Sequence, residues 1–317
     1  MESRKAVISG GAGFIGSHLA DSLLKEGWEV LAIDRIPPKD AVNIGHLAGN
    51  ERFSYFMNDM KDRGTVEKLA EGSEMIFHLA ANSDIQKGGK DPSIDLNDTL
   101  LTTVTMLEAA RANGIKRFFF SSTSAVYGDL KGIQLREDTG GLEPISYYGA
   151  SKLASEAMIS AYSYMNDMDS LVFRFPNVVG PRLTHGVIFD FIKKLRADEK
   201  SLEILGNGKQ SKQYVYVKDL VDGIVKFSSL MEKGYHMYNI STESFTTVTE
   251  IADMVCGRLG LTGVEYKYTG GDCGWKGDVP TFDYDIGKAK KKGWRYNFDS
   301  SGAVRKTLED LDLTADR

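Results

Sequence analysis

Tyr148 and Lys152 stand four residues apart in the run Tyr147-Tyr148-Gly149-Ala150-Ser151-Lys152. Residues at that separation share one face of a helix, so the phenol and the ammonium can lie side by side. A neighbouring ammonium stabilises a phenolate and draws its pKa down from about 10 toward neutrality. A tyrosine tuned in this way can take a proton from an alcohol or sugar hydroxyl. The same spacing also occurs in solvent-exposed helical pairs that do no chemistry. Upstream, Ser121-Ser122-Thr123-Ser124 puts four hydroxyl side chains directly after the apolar run at 117–120. Ligands of open parallel sheets bind beyond the carboxyl ends of the strands, so this run reads either as a plain polar loop or as part of a site.

A second group of residues suggests what would sit beside that pair. The stretch from Lys5 to Gly16 is a short apolar run ending in Gly10-Gly11-Ala12-Gly13-Phe14-Ile15-Gly16, with an amphipathic segment at 17–26. Gly11-x-Gly13-x-x-Gly16 matches the dinucleotide fingerprint, and Gly10-x-x-Gly13-x-x-Gly16 is a second spacing of the same kind. Glycine is needed there for a tight turn, for backbone approach to a pyrophosphate, and for close packing of helix on strand. The helix N-terminus then faces the phosphate charge. The next strand, at 29–33, ends in Asp34, where an acid can accept from both ribose hydroxyls. An acid rather than a base at that position favours NAD over NADP. An oxidised nicotinamide is itself cationic and would act on the Tyr148 phenol in the same direction as Lys152.

The elements that must position these residues alternate between strand and helix through the first half. That alternation predicts an α/β fold, a Rossmann-like doubly wound parallel sheet with helices on both faces. Further strands are expected at 53–56, 74–81 and 117–120, and a long helix at 94–113. Asp59 follows the strand at 53–56, where it could accept from an adenine amino group or cap the helix at 61–71. His78, inside the fourth strand, reads as an interior histidine. In the second half, Val187, Ile188, Phe191, Ile192 and Leu195 form the apolar stripe of a helix at 184–198. Short strands are expected at 202–205 and 214–217, and Thr247-x-x-Glu250 has capping-box spacing for a helix at 248–259. The glycine-rich stretch at 270–285 reads as a loop over the substrate.

Composition narrows the class. The chain has 317 residues, 42% hydrophobic and 26% charged, with a net charge of -5, an ordinary globular balance that argues against a general nucleic-acid binder. No apolar run reaches the roughly 18 residues of a membrane span, and no signal peptide precedes the first strand. Two cysteines, Cys256 and Cys273, make neither a disulfide framework nor a zinc pattern, and the five histidines show no ligand spacing. The expectation is a cytoplasmic protein with no metal site and no nucleic-acid or membrane partner.

Taken together the motifs resemble the extended short-chain dehydrogenase/reductase family, in particular its NAD-dependent sugar-nucleotide epimerases and dehydratases. The likeness is nearest to archaeal-type UDP-glucose 4-epimerases. It is carried by the glycine stretch, His78-Leu79-Ala80-Ala81, Ser121 to Gly128, Tyr148-x-x-x-Lys152, and Arg174-Phe175-Pro176-Asn177-Val178-Val179-Gly180-Pro181-Arg182. Gly206-Asn207-Gly208-Lys209-Gln210, Tyr214 to Asp219 and Gly277-Asp278-Val279 continue it. The resemblance implies an NAD-binding domain at 1–171, rejoined by about 212–240, and a smaller, discontinuous substrate domain mainly at 172–317. It makes Tyr148 the general base, Lys152 the holder of the nicotinamide ribose, and Thr123 the hydroxyl that bonds the sugar 4-oxygen. NAD would be held by Gly10, Gly13, Phe14, Ile15, Gly16, Asp34, Asp59, Met60, Leu79, Ala80, Ala81, Ser121, Ser122 and Pro176, beside Tyr148 and Lys152. A UDP-hexose would meet Thr123, Asn177, Val187, Ile188, Lys212, Lys276 and Asp278. A homodimer through the helices at 94–113 and 151–165 is also implied.

The run after Thr123 bears on the reaction. Dehydratases of the family carry Thr-Asp-Glu where this chain has Thr123-Ser124-Ala125. Without those acids, oxidation and reduction at the sugar C4, as in UDP-glucose/UDP-galactose epimerisation, fits better than elimination. A related dehydratase or reductase, or a non-catalytic NAD-binding protein, are the alternatives. Departures from the family pattern cluster on the substrate side. Lys212-Gln213 replaces Arg-Asp, Cys273 stands where close relatives have arginine and Trp275 where other branches have it, Gln86 replaces a residue that is often basic, and Thr99 an asparagine. Phe282 falls near a position that gates sugar size and suggests an unsubstituted hexose.

Overall fold

Six apolar runs form strands β1 (Lys5–Ser9), β2 (Glu29–Asp34), β3 (Phe53–Met57), β4 (Met75–His78), β5 (Arg117–Thr123) and β6 (Asp169–Phe175). In the computed structural model, which describes residues 4–82, 84–130, 132–271, 277, 279 and 281–311, they lie in one sheet in the order β6-β5-β4-β1-β2-β3, with Tyr235–Asn239 beyond β6. The pairs β1/β2, β2/β3, β1/β4 and β4/β5 are parallel, with Val7 opposite both Leu31 and Ile76. All of β4, and all but the end residues of β5 and β6, are buried. Such continuous burial is what a parallel strand covered on both faces requires. Phenyl rings on neighbouring elements interlock: Phe77 meets Phe119 at 5.9 Å, Phe119 meets Phe173 at 5.3 Å, and Phe173 meets Phe227 at 5.3 Å.

The chain runs outward from β1 through β2 to β3 and then crosses to β4 on the other side of β1. Strand order therefore reverses between β1 and β4, and the crevice beyond their carboxyl ends is the ligand position of such sheets. The α-helices that connect these six strands are α1 (Phe14–Lys25), α2 (Arg63–Leu69), α3 (Ile85–Lys90), α4 (Pro92–Asp95), α5 (Thr102–Ala112) and α6 (Tyr147–Asn166).

Three local expectations change. The helix expected at 94–113 is interrupted by a π-helical turn, Leu96–Leu101, between α4 and α5. There the Thr102 and Thr103 hydroxyls donate back to the Thr99 carbonyl at 3.0 and 2.7 Å, competing with the regular backbone ladder. The hydroxyl run is not a loop following a strand, because β5 continues through Thr123. Ser121 and Ser122 stay in the sheet because their hydroxyls donate to the His78 carbonyl and to Glu156. Finally, α2 is capped by Asp62, which accepts from the Thr65 amide at 3.2 Å, and not by Asp59.

The chain divides into two compact units, Met1–Asp129 with Glu137–Arg174 and Val221–Tyr238, and Leu130–Arg136 with Phe175–Leu220 and Asn239–Arg317. The later elements are β7 (Asn177–Val179), α7 (Val187–Ala197), β8 (Ser201–Ile204), β9 (Ser211–Lys212), β10 (Tyr214–Tyr216), α8 (Val217–Ser229), β11 (Tyr235–Asn239), β12 (Thr246–Thr247), α9 (Val248–Leu259), β13 (Glu265–Tyr268), α10 (Gly287–Lys291) and α11 (Ser300–Asp310). Short ladders join β7 to β10, β9 to β12 and β8 to β13. The second unit's core gathers Ile188, Phe191 and Leu195 of α7, Ile251 and Val255 of α9, and Val304 and Leu308 of α11.

The capping box of α9 is complete. Thr247 accepts from the Glu250 amide at 3.1 Å, and Glu250 accepts from the Thr247 amide at 2.7 Å. Thr247→Ala is expected to lower unfolding stability by about 1 kcal/mol in a urea titration, and a loss within a few tenths would contradict the cap's role.

Candidate active site

The turn after β1 is made by its glycines. Gly10 has φ +73°, and a Cβ there would stand 2.9 Å from the Ala80 nitrogen. A Cβ on Gly16 would lie 2.2 Å from the Gly10 carbonyl oxygen, so only glycine lets α1 approach the strand end. Gly13 is the N-cap of α1 and supplies no side-chain cap, and the first turn holds no acid. The leading amides of a helix have no partners within it, so those around Phe14, Ile15 and Gly16 form a site for an anion. Asp34, at the end of β2, accepts from the Ala12 and Ile36 amides at 3.2 and 3.4 Å. Burial pushes its carboxyl above the ordinary carboxylate range, while these amides pull it down. Leu79, Ala80 and Ala81 follow β4 and are half-buried. This donor set fits a dinucleotide: an amide cradle for its pyrophosphate, an acid for its ribose, and small residues along its path.

Across the crevice, α6 presents Tyr148, Lys152 and Glu156 at successive turns of one face. Lys152 is 2% exposed, and its Nζ donates to the Ser121 carbonyl at 2.6 Å. It lies 4.5 Å from the Phe120 ring centroid and 5.9 Å from that of Tyr148. Burial drives the Lys152 pKa down to about 7, opposed by the charge of Glu156. Tyr148 is pushed up to about 12, first by burial, against a hydrogen bond from Thr123 that draws it down, with the Asp95 carboxylate raising it further. This reverses the expectation of a depressed phenol. Lys152 is directed at a backbone carbonyl, and desolvation outweighs its attraction for a phenolate. A cationic nicotinamide would add positive charge at this place.

Glu156, not anticipated from the motifs, is 3% exposed and accepts from Arg174 at 2.9 and 2.6 Å as well as from Ser122. The Arg174 guanidinium lies 4.7 Å from the Tyr127 ring centroid. Two links, Lys152 to Ser121 and Glu156 to Ser122, thus fasten α6 to the end of β5. A lone arginine inside the apolar strand Val172-Phe173-Arg174-Phe175, and a glutamate one turn beyond Lys152, were the available sequence signals. A second buried acid, Asp95, accepts from Asn82 at 2.9 Å through Oδ1. Its Oδ2 has no hydrogen-bond partner among the described residues, and Gly88 is there because a Cβ would meet that oxygen at 1.9 Å.

Other anticipated residues fall as follows. Met60 packs in the first unit's core and Ile188 in the second's, so each can offer a ligand only its backbone. Asp59 is exposed and Pro176 is buried between β6 and β7. In the second unit, Asn177 is exposed on β7, and Val187, which opens α7, and Lys212 on β9 are half-buried. Two departures from the family pattern have structural explanations. Gln213 donates to the Thr242 carbonyl at 2.7 Å and accepts from the Tyr284 amide at 3.3 Å, a pairing that a carboxylate could not complete. Thr99 is buried and accepts from the Asn82 amide at 3.2 Å. Gln86 is exposed on α3. Cys273, Trp275, Lys276 and Asp278 lie outside the described residues.

A glycine turn at the switch point, an acid ending the second strand, and a Thr-Tyr-Lys set on β5 and α6 define an NAD-dependent enzyme of the short-chain dehydrogenase/reductase type. The model of the NAD dependent epimerase/dehydratase family matches residues 6–241, and the chain belongs to that family. A putative UDP-glucose 4-epimerase from Methanocaldococcus jannaschii is 29% identical, covering 95% of this chain and 96% of its own. The UDP-glucose 4-epimerase of Mycolicibacterium smegmatis is 31% identical over 81% of this chain and 83% of its own. A crystal structure of UDP-galactose 4-epimerase, 35% identical, superposes with a TM-score of 0.81 over 97% of this chain and 98% of its own. A UDP-glucuronate 4-epimerase from Thermodesulfobacterium geofontis is 27% identical over 97% of this chain and 97% of its own.

His78 serves the scaffold. It is fully buried, bonded to Ser9 at 2.6 Å and to Thr103 at 3.0 Å, and stacked on Phe120 at 5.6 Å. Burial, with the Lys152 charge, lowers its pKa from 6.5 to about 3. Between those values the unfolded chain binds a proton that the folded chain does not, so His78 makes stability fall as pH drops from 6.5 toward 3. Replacing it with glutamine is expected to flatten the stability-versus-pH slope there by up to about 1.4 kcal/mol per unit. Urea titrations at several pH values measure this, and parallel slopes would count against it.

Proposed function

We propose that the protein is a UDP-hexose 4-epimerase of the UDP-glucose/UDP-galactose type. The observation that carries this reading is the composition of the site around Tyr148. A threonine hydroxyl bonds the phenol, a buried lysine stands one turn away, and positions 124 and 125 hold Ser and Ala in place of proton-transferring acids. Bound NAD supplies the acceptor and donor of hydride for the sugar C4.

The protein's part is proton movement and orientation. Tyr148 Oη takes the proton of the 4-hydroxyl as the C–H bond breaks, and gives it back when hydride returns to the other face of the 4-keto sugar. Protons and electrons balance over the cycle, so nothing is consumed. Thr123 holds the oxygen undergoing the change, and Lys152, anchored on Ser121, keeps positive charge beside the developing phenolate. Burial holds the Lys152 pKa at about 7, and the negative charge developing on the phenolate would raise it. The nucleotide part of the substrate is assigned to Asn177, Val187, Ile188 and Lys212 of the second unit, together with Lys276 and Asp278.

Incubated with UDP-glucose and followed by NMR, the purified protein is expected to form UDP-galactose with no net change in NAD. Tyr148→Phe should lower kcat by about 10²–10⁴-fold while NAD stays bound. UDP-glucuronate and UDP-N-acetylglucosamine form the comparison arms. Preference for either replaces the hexose in this reading, and no turnover of any UDP-sugar by NAD-loaded protein overturns it.

A further inference from the structure

Arg35 directly follows Asp34, the acid that ends β2. Its guanidinium Nη1 lies 2.8 Å from Asp98 Oδ2, and Lys61 Nζ lies 3.1 Å from the other oxygen of the same carboxylate. Lys61 also reaches Asp59 at 3.5 Å. Asp98 projects from the π-helical turn with its side chain 18% exposed, whereas Arg35 is 63% and Lys61 41% exposed. One shielded carboxylate therefore bridges two accessible cations beside the acid placed for the adenosine ribose.

The 2′ position of that ribose separates the two nicotinamide cofactors. NAD presents a hydroxyl that a carboxylate accepts from, and NADP presents a phosphate that a carboxylate repels and an arginine pairs with. An arginine next to the ribose acid is the group a 2′-phosphate would recruit, since its planar fork matches phosphate oxygens two at a time. A lysine within reach would add a point charge. In this chain both are already engaged.

We propose that Asp98 is a second determinant of NAD selectivity, acting by holding Arg35 and Lys61 away from a 2′-phosphate and leaving Asp34 to the ribose hydroxyls. The cluster Asp34, Asp59, Asp98, Arg35 and Lys61 carries three negative and two positive charges. Removing the Asp98 charge makes it neutral and releases two donors, a change that favours NADP and leaves the hydroxyl of NAD almost indifferent. A purely structural role, stapling the π turn to β2, would weaken both cofactors alike.

The test is equilibrium dialysis of the intact protein against equal concentrations of NAD and NADP, reading the ratio of the two retained. Asp98→Asn is expected to raise the NADP-to-NAD ratio about tenfold, equivalent to about 1.4 kcal/mol. Asp98→Ser, a second variant in case the first folds poorly, should do the same, and Asp98→Glu should keep the wild-type ratio. In an Arg35→Gln/Lys61→Gln background, Asp98→Asn should leave the ratio unchanged. An unaltered ratio in a folded Asp98→Asn or Asp98→Ser protein overturns the proposal. So does a gain that persists without Arg35 and Lys61.

Discussion

Only a hydrogen atom on Gly16 separates α1 from the carbonyl oxygen of Gly10, and the nucleotide end of the molecule depends on that gap. Any side chain there would collide with backbone, which cannot rotate away as a flexible side chain can. The close approach brings the first helical amides to the reversal of strand order between β1 and β4. It also leaves the Ala12 amide where Asp34 can accept from it. The approach of the first helical amides to the strand end thus depends on the missing methyl group of Gly16, and the close packing against Ala80 on that of Gly10.

The reacting side is built on the opposite principle, with charge taken into the interior instead of bulk taken out. Lys152, Glu156 and Arg174 are each at most 3% exposed, an arrangement that disfavours ionisation unless every charge is matched. Glu156 is matched by both Arg174 and Ser122, while Lys152 has a carbonyl and two aromatic faces. Burial without a matching carboxylate at hydrogen-bond distance is why the lysine's proton is weakly held, and burial with the Asp95 charge is why the phenol's is tightly held. The site is set for the positive charge and the hydroxyl that cofactor and sugar would bring.

Much of this was legible in the sequence because it rests on local rules. The buried strands show as apolar runs, the turn shows as glycine spacing, and the Tyr148–Lys152 face follows from helical geometry. The continuation of β5 through Thr123 was hidden, because serine and threonine read as loop until their hydroxyls are seen to have partners at His78 and Glu156. The π turn was hidden for a related reason, since its threonines are helix-compatible singly and alter the ladder only in concert. The internal roles of Gln213 and Thr99 were hidden as well, since the sequence shows the departures but not the buried hydrogen bonds that each makes. The reversed direction of the Tyr148 shift could not be read from spacing, which says that two groups are near but not how much water each has lost.

The separation in sequence of β6 and β11 has a consequence for biosynthesis. By the time Phe175 has been made, six strands of the sheet exist, and β6 is then an open edge with unpaired backbone groups. Its neighbour β11 emerges only after β7 through β10, α7 and α8 have been synthesised. The segment Leu171-Val172-Phe173-Arg174-Phe175 is apolar and of high strand propensity, the kind of sequence that an unpaired edge leaves exposed. Arg174 interrupts that segment with a charge. The arginine that partners Glu156 in the finished molecule is thus also the charge that breaks an otherwise apolar edge until β11 covers it.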